Sequence, residues 1–148
     1  MSEPAYRKPD LALVGAEHVA RYRETDGEEG YEWNGVPILL LTTTGRRTGE
    51  PRTKALIFGR DGDDYLIVAS TGGAPKHPSW YLNLLARPEA EIQVKGEHIP
   101  VVARSAADGA ERTHLWQLVT GYWPNYDTYQ ERTDRLIPVV VLTPTKET

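Results

Sequence analysis

Apolar positions open the chain at three- and four-residue intervals. Leu11, Val14, His18 and Tyr22 fall on one face of a helix predicted over residues 11–23, with Asp10 as its N-cap behind Pro9. The period disappears in ETDGEEGYEWNG (24–35), an acidic, glycine-containing stretch that reads as a solvated linker. From Val36 the texture is that of strands. VPILLLTTT (36–44) is apolar and β-branched, residues 52–60 alternate, Asp61-Gly62-Asp63 turns the chain, and 65–70 is a third apolar run. TGGAPKHPS (71–79) holds two glycines and two prolines, which bar regular structure. A short helix is predicted over 80–87, started by Ser79 and stopped by Pro88. Strands over 91–95 and 98–105 flank a Gly96-Glu97 turn. Pro100 lacks an N–H and so belongs to an edge or a bulge. Residues 110–122 form a long helix with Leu115, Leu118, Val119 and Tyr122 on one face. A loop over 123–135 then leads to a last strand over 137–143.

Six strands joined mostly by short connections predict an α+β, mainly β fold. The links 44–52 and 60–65 are shorter than the dozen or so residues a parallel crossover needs, so the sheet is mostly antiparallel and closes into a small barrel with flanking helices. No internal repeat divides the 148 residues. The expected organisation is one domain, with residues 1–35 an N-terminal helix and linker and 36–148 the barrel.

Composition narrows the chemistry. A net charge of −4 argues against general nucleic-acid binding, which needs a broad basic face. The absence of cysteine excludes disulfides, thiolate metal sites and a cysteine nucleophile. Residues 1–10 lack an apolar signal core and no apolar run approaches the ~20 residues of a bilayer span, so a cytoplasmic protein is expected. His18, His77, His98 and His114 are scattered without ligand spacing and read as surface or core-edge imidazoles, so no metal is expected. Neither a dinucleotide nor a triphosphate-binding glycine pattern occurs, and there is no nucleophile elbow. Four Trp and eight Tyr against one Phe suit a wet, aromatic-lined pocket, and equally suit ordinary half-buried packing.

One segment departs from the acidic average. Between Leu39 and Phe58, Arg46, Arg47, Arg52 and Lys54 stand against the single acid Glu50, four cations less one anion, or +3. The turn between the two strands contains Gly45 and Gly49, which allow the conformations of an anion-binding nest, and Thr48 adds a hydroxyl. Arginine forks match phosphate or carboxylate. A charged hairpin tip that discourages edge pairing has the same composition.

TTTGRRTGEPR, VASTGGAPKHPSWYLNL and GYWPNYDTYQERTDRLIPVVVL, in this order and spacing, resemble the deazaflavin-dependent nitroreductase and quinone reductase family of actinobacteria, over about residues 36–143. The resemblance implies a split β-barrel of the FMN-binding type and, as cofactor, coenzyme F420, an 8-hydroxy-5-deazaflavin. Carried onto this chain, it implies that Arg46, Arg47, Thr48 and Arg52 hold the phosphate and glutamate tail. Thr53, Lys54, Ala55, Leu56 and Ile57 would run beside the ring system, flanked by Val68, Ala69, Ser70 and Thr71. Ser79, Trp80, Tyr81, Leu82 and Asn83 would cap it, and Tyr126 would close over it. Ser70, Tyr126 and Tyr129 are the implied catalytic residues, and Tyr122, Trp123 and Tyr129 the substrate wall. Thr71 stands where the family often has lysine, Lys54-Ala55 where it often has Asn-Pro, and Trp123 where a relative has tyrosine.

The implied reaction is hydride transfer from reduced F420 to a planar acceptor, a menaquinone-like quinone or a nitroaromatic, with the protein positioning both and supplying a proton donor. A quinone acceptor implies transient contact with the inner face of the membrane. A deazaflavin carrier with little turnover and an FMN-dependent oxidase on the same barrel are the competing expectations. The sequence leaves the oligomeric state open.

Overall fold

The structure is a computed structural model, described for residues 13–70, 73–106 and 108–145. The predicted helix start at Leu11 and the site position Thr71 lie outside the described residues. The elements are α1 (Gly15–Thr25), β1 (Glu32–Trp33), β2 (Val36–Thr44), β3 (Pro51–Ile57), β4 (Gly59–Asp61), β5 (Asp64–Val68), α2 (Ser79–Ala86), β6 (Glu89–Val94), β7 (Glu97–Ala106), α3 (Gly109–Tyr122), α4 (Asn125–Glu131) and β8 (Val139–Pro144).

All pairings are antiparallel: β1–β2, β2–β3, β2–β6, β6–β7, β7–β8, β8–β5 and β5–β4. β3 and β4 are consecutive, separated only by Phe58. The first pairs with β2 and the second with β5, so the sheet runs round a circuit. The sequence read this segment as one strand. It breaks because its two halves serve different neighbours, and the break is where the barrel splits. Among the described residues, the edge of β3 away from β2 has no strand partner.

Period-two alternation explains the long apolar runs. Leu39 and Leu41 of β2, Tyr65 and Ile67 of β5, and Val140 and Leu142 of β8 fill the barrel interior. Ile38 and Leu40 face outward under α1, where they meet Tyr22. Leu66, Val68, Val139 and Val141 face outward under α3 and α4. These strands are buried on both faces, so they show no polar alternation in the sequence.

Four sequence readings need correction. The solvated linker contains β1, and Trp33 packs on Trp123 with ring centroids 5.7 Å apart. The loop over 123–135 contains helix α4. Leu118 is exposed rather than on the packed face of α3. β7 is not an edge strand: it pairs with both β6 and β8. Pro100 is accommodated because the ladder to β8 ends at Val101↔Pro144. Beyond it Pro100 only accepts, from the Thr145 N–H at 2.9 Å, and no donor is required of it on that side.

Two polar anchors fix α1. Tyr22 is fully buried, donates to the Ile38 carbonyl at 2.9 Å and receives the Lys95 N–H at 2.7 Å; burial pushes its pKa up to about 12, so it stays a neutral donor. His18 donates from Nε2 to the Gly30 carbonyl at 2.8 Å.

At the split, a Cβ on Gly59 would lie 2.3 Å from the Tyr122 ring and 2.6 Å from its hydroxyl. Gly59→Ala must therefore displace Tyr122. The expected cost is about 1–3 kcal/mol, as for other over-packed sites, read as a lower midpoint in urea with an unchanged slope. A wild-type midpoint would mean that the Tyr122 ring swings clear freely.

Candidate active site

Two cavities lie along the unpaired edge of β3. One, of about 340 Å³, is lined by Gly45, Arg46, Arg47, Thr48, Arg52 and Lys54 of the β2–β3 hairpin and by Ser79, Trp80 and Asn83 of α2. No carboxylate lines it. The hairpin is seated on α2: the Arg46 N–H and Nη1 donate to Asn83 Oδ1 at 3.2 and 2.8 Å, while Asn83 Nδ2 donates to Thr43 Oγ1 at 3.1 Å. Arg46 is thus partly committed to holding the turn. Arg52 has only a long contact, 3.5 Å, to Thr48 Oγ1.

The other cavity, of about 280 Å³, begins at the next residue of the same strand. Ala55, Leu56 and Ile57 of β3 form one wall, Val68 and Ser70 a second, and Trp123, Tyr126 and Tyr129 a third. α1 and its neighbours close it with Val14, Gly15, His18, Trp33 and Ile38. Among the described residues, no carboxylate, lysine or arginine lines this cavity.

Tyr126 is buried, edge-on to Tyr129 at 6.1 Å and tilted on Trp116 at 6.2 Å. Burial, and then the neighbouring Tyr122 and Tyr129, hold its pKa well above the ordinary tyrosine value. Its hydroxyl is therefore a hydrogen-bond donor that gives up its proton reluctantly. α4 is not a swinging loop. Trp116 Nε1 donates to Asp127 Oδ1 at 2.8 Å, and the buried Arg112 donates to Gln130 Oε1 at 2.8 Å and to the Ile137 carbonyl at 2.9 Å.

Some expected residues stand elsewhere. Tyr122 does not line the aromatic cavity. Its ring lies on Gly59, and its hydroxyl is sealed without a partner, which raises its pKa. Tyr81 points into the barrel, its hydroxyl 2.7 Å from Ser105 Oγ, and Leu82 packs beside it. Ala69 is also an interior residue. Thr53 faces α1, 2.8 Å from Thr42 Oγ1 and receiving Arg23 Nη2 at 2.8 Å.

Residues that the sequence reading did not single out do much of the positioning. Arg135 donates to the carbonyls of Ala69, Ser70 and Ala74 at 3.1, 2.8 and 2.9 Å, and to His77 Nδ1 at 3.0 Å. It clamps the chain around Ser70 to the segment after α4. Burial, then the Arg135 charge, lowers the His77 pKa, which keeps the imidazole neutral and able to accept. A Cβ on Gly73 would sit 2.5 Å from the Tyr129 carbonyl, so the same loop and α4 touch through backbone. His18 and Trp33 were legible only as one face of a helix and part of a linker. Nothing in their spacing points to a cavity that forms when α1 folds back over β2 and β3.

The barrel is thus opened along one strand, with a cationic pocket at one end of that edge and an aromatic one at the other. The profile of the F420H(2)-dependent quinone reductases matches residues 14–144. An F420H(2)-dependent quinone reductase of Mycobacterium tuberculosis (strain ATCC 25618 / H37Rv) is 49% identical over 129 residues, which are 85% of this chain and 87% of that protein. A solved F420-H2 dependent reductase superposes with a TM-score of 0.66 at 44% identity, covering 72% of this chain and 93% of that one. A second solved structure, described as a domain-swapped dimer, gives a TM-score of 0.68 at 40% identity over 85% and 94% of the two chains. The chain belongs to the F420H(2)-dependent quinone reductase family. It is an oxidoreductase whose cofactor is F420 and whose acceptor is a quinone, and its fold is the split barrel that the resemblance implied.

Proposed function

We propose that the two cavities form one site, with the F420 ring system against Ala55–Ile57 and the phosphate and glutamate tail among Arg47, Arg52 and Lys54. The observation that carries this is the adjacency of Lys54 and Ala55, which put the cationic and the aromatic cavity on consecutive residues of one unpaired strand edge. The residues fit the group. The cations face an anionic tail without a competing carboxylate, and the aromatic cavity is shaped for a flat ring. Alternate residues of an antiparallel strand turn their N–H and C=O away from the paired neighbour, so the free edge of β3 offers backbone partners to polar ring atoms. When bound, reduced F420 supplies a hydride, two electrons at once, to the acceptor.

The chain's own residues position, exclude water and stabilise charge. Trp123, Tyr126 and Tyr129 line the cavity, and the half-buried Tyr129 is the ring on which a quinone stacks, contributing roughly 0.5–1.5 kcal/mol. The Tyr126 hydroxyl, kept neutral, donates to the oxygen on which negative charge develops, and Ser70 lines the same cavity. Planar nitroaromatics meet the same stacking requirement and are a second acceptor class. A quinone with a lipid tail brings the protein to a membrane surface, although no helix among the described residues is long and apolar enough to cross one.

Purified protein mixed with reduced F420 and a short-chain naphthoquinone is expected to return oxidised F420 at a rate proportional to enzyme. Tight F420 binding with no quinone or nitroaromatic turnover would make it a carrier instead, and preferential binding of FMN would place it with the flavin oxidases of this barrel.

A further inference from the structure

We propose that His18 is a further catalytic residue, the donor of the proton that completes reduction of the quinone. This rests on the reading of the aromatic cavity as the quinone site.

Hydride addition converts a quinone into a hydroquinone monoanion, and one proton then yields the neutral hydroquinone. The cavity walls offer few sources for that proton. Among the described residues they hold no carboxylate, lysine or arginine; the titratable groups that face it are Tyr126 and Tyr129 of α4 and His18 of α1. Tyr126 is a reluctant acid for the reasons given above. Histidine is the side chain whose charge ordinarily changes between about pH 5 and 8, where a general acid works best.

The position of His18 suits the role. It is 4% exposed, and its ring is held by one bond, from Nε2 to the Gly30 carbonyl at 2.8 Å. A carbonyl only accepts, so Nε2 carries a proton, and the second proton of the imidazolium sits on Nδ1. Nδ1 has no hydrogen-bond partner among the described residues. Nor is it sealed off: among the described residues the sealed, unpartnered side-chain polar atom is the Tyr122 hydroxyl alone. His18 is one of the residues that wall the aromatic cavity. Among the charged residues of the elements that carry His18 and Gly30, Glu17 and Arg21 of α1 are exposed, as are Asp26, Glu28 and Glu29. β2 presents Ile38 and α4 the two tyrosines. Gly30 also fits the ring closely: a Cβ there would stand 3.0 Å from His18 Cδ2. In the step, the Nδ1–H bond breaks, the proton joins the hydroquinone oxygen, and neutral His18 is reprotonated from solvent. Its Nδ1 can then accept from the product hydroxyl.

His18→Gln tests this, because the glutamine amide keeps a donor for Gly30 and removes the titrating nitrogen. With reduced F420 and menadione, the wild type is expected to lose turnover on the alkaline side of its profile, where the proton donor is depleted. The variant should be about 10²-fold slower at the acid end, with that limb gone. Its F420 affinity should stay within about two-fold. A readout independent of turnover is the affinity of 1,4-dihydroxynaphthalene for the complex with oxidised F420, measured anaerobically by quenching of Trp33 and Trp123. The variant should bind it about five-fold more weakly, the effect of one lost neutral hydrogen bond. Wild-type turnover, pH profile and product affinity in the variant overturn the proposal. If the variant fails to bind F420, the wild-type profile decides, and a profile without the limb overturns it. A wild type that binds F420 but reduces no quinone removes the reading of the cavity itself, and the role of His18 with it.

Discussion

Replacing Arg52 and Lys54 together by alanine is expected to weaken F420 binding by about 10²-fold while leaving the unfolding midpoint nearly unchanged. A charge-assisted hydrogen bond contributes about 1.5–3 kcal/mol, and exposed cations belong at the low end, so two of them amount to ~3 kcal/mol. This pair is more discriminating than one that includes Arg46, because Arg46 also holds Asn83 and its loss would loosen the hairpin as well as the anion. Arg52 and Lys54 are exposed, and neither braces the fold through a short bond. Fluorescence titration of F420 at low and high salt measures the effect. Wild-type affinity should fall with salt, and the double variant should show a shallower dependence, since part of the binding is screened attraction at an open pocket. Equal affinities in the two proteins would reduce the +3 turn to a solubilising hairpin tip.

The second large effect is expected at Tyr126. Tyr126→Phe keeps the ring that packs on Trp116 and Tyr129 and removes only the hydroxyl. Turnover with a quinone should fall by about 10²-fold, the usual loss on removing one donor to a developing oxyanion, while F420 affinity stays within about two-fold. The raised pKa adds a condition on pH: Tyr126 remains protonated well above neutrality, so the phenylalanine variant should lower the whole neutral part of the profile without moving its limbs. A limb that disappears in Tyr126→Phe but survives in His18→Gln would assign the proton to Tyr126 instead. Tyr126→Ala opens a cavity beside Trp116 and should damage stability and binding together. If Tyr126→Phe turns over at the wild-type rate, Tyr126 is a packing residue of α4 and the oxyanion is held by other groups.

Both effects depend on α4 being fixed, which the sequence reading did not foresee. GYWPNYDTYQERT contains proline, asparagine and aspartate, and that composition reads as a loop. The structure makes the proline a helix start, Pro124 preceding Asn125–Glu131, and locks the helix with Arg112, Trp116 and Gln130. The segment is a helix tied to α3 rather than an unstructured loop.

The sequence by itself determined most of the strand segments, the antiparallel character of the sheet and the cationic turn. Those features are local: alternation, short hairpin links, and four cations within nine positions belong to neighbouring residues, and no distant contact is needed to create them. The quoted motifs likewise placed the chain in its family, because they carry their meaning in contiguous residues. The tertiary structure alone decided where the barrel splits, since Phe58 and Gly59 become a break only when β3 has β2 as its neighbour and β4 has β5. It alone turned Tyr122 away from the cavity onto Gly59, and it brought His18 and Trp33 into the wall of the cavity that Tyr126 also lines. Arg135 reaches back 65 residues to the Ser70 carbonyl. No periodicity encodes such contacts, because they depend on which faces meet after the chain has closed into a barrel.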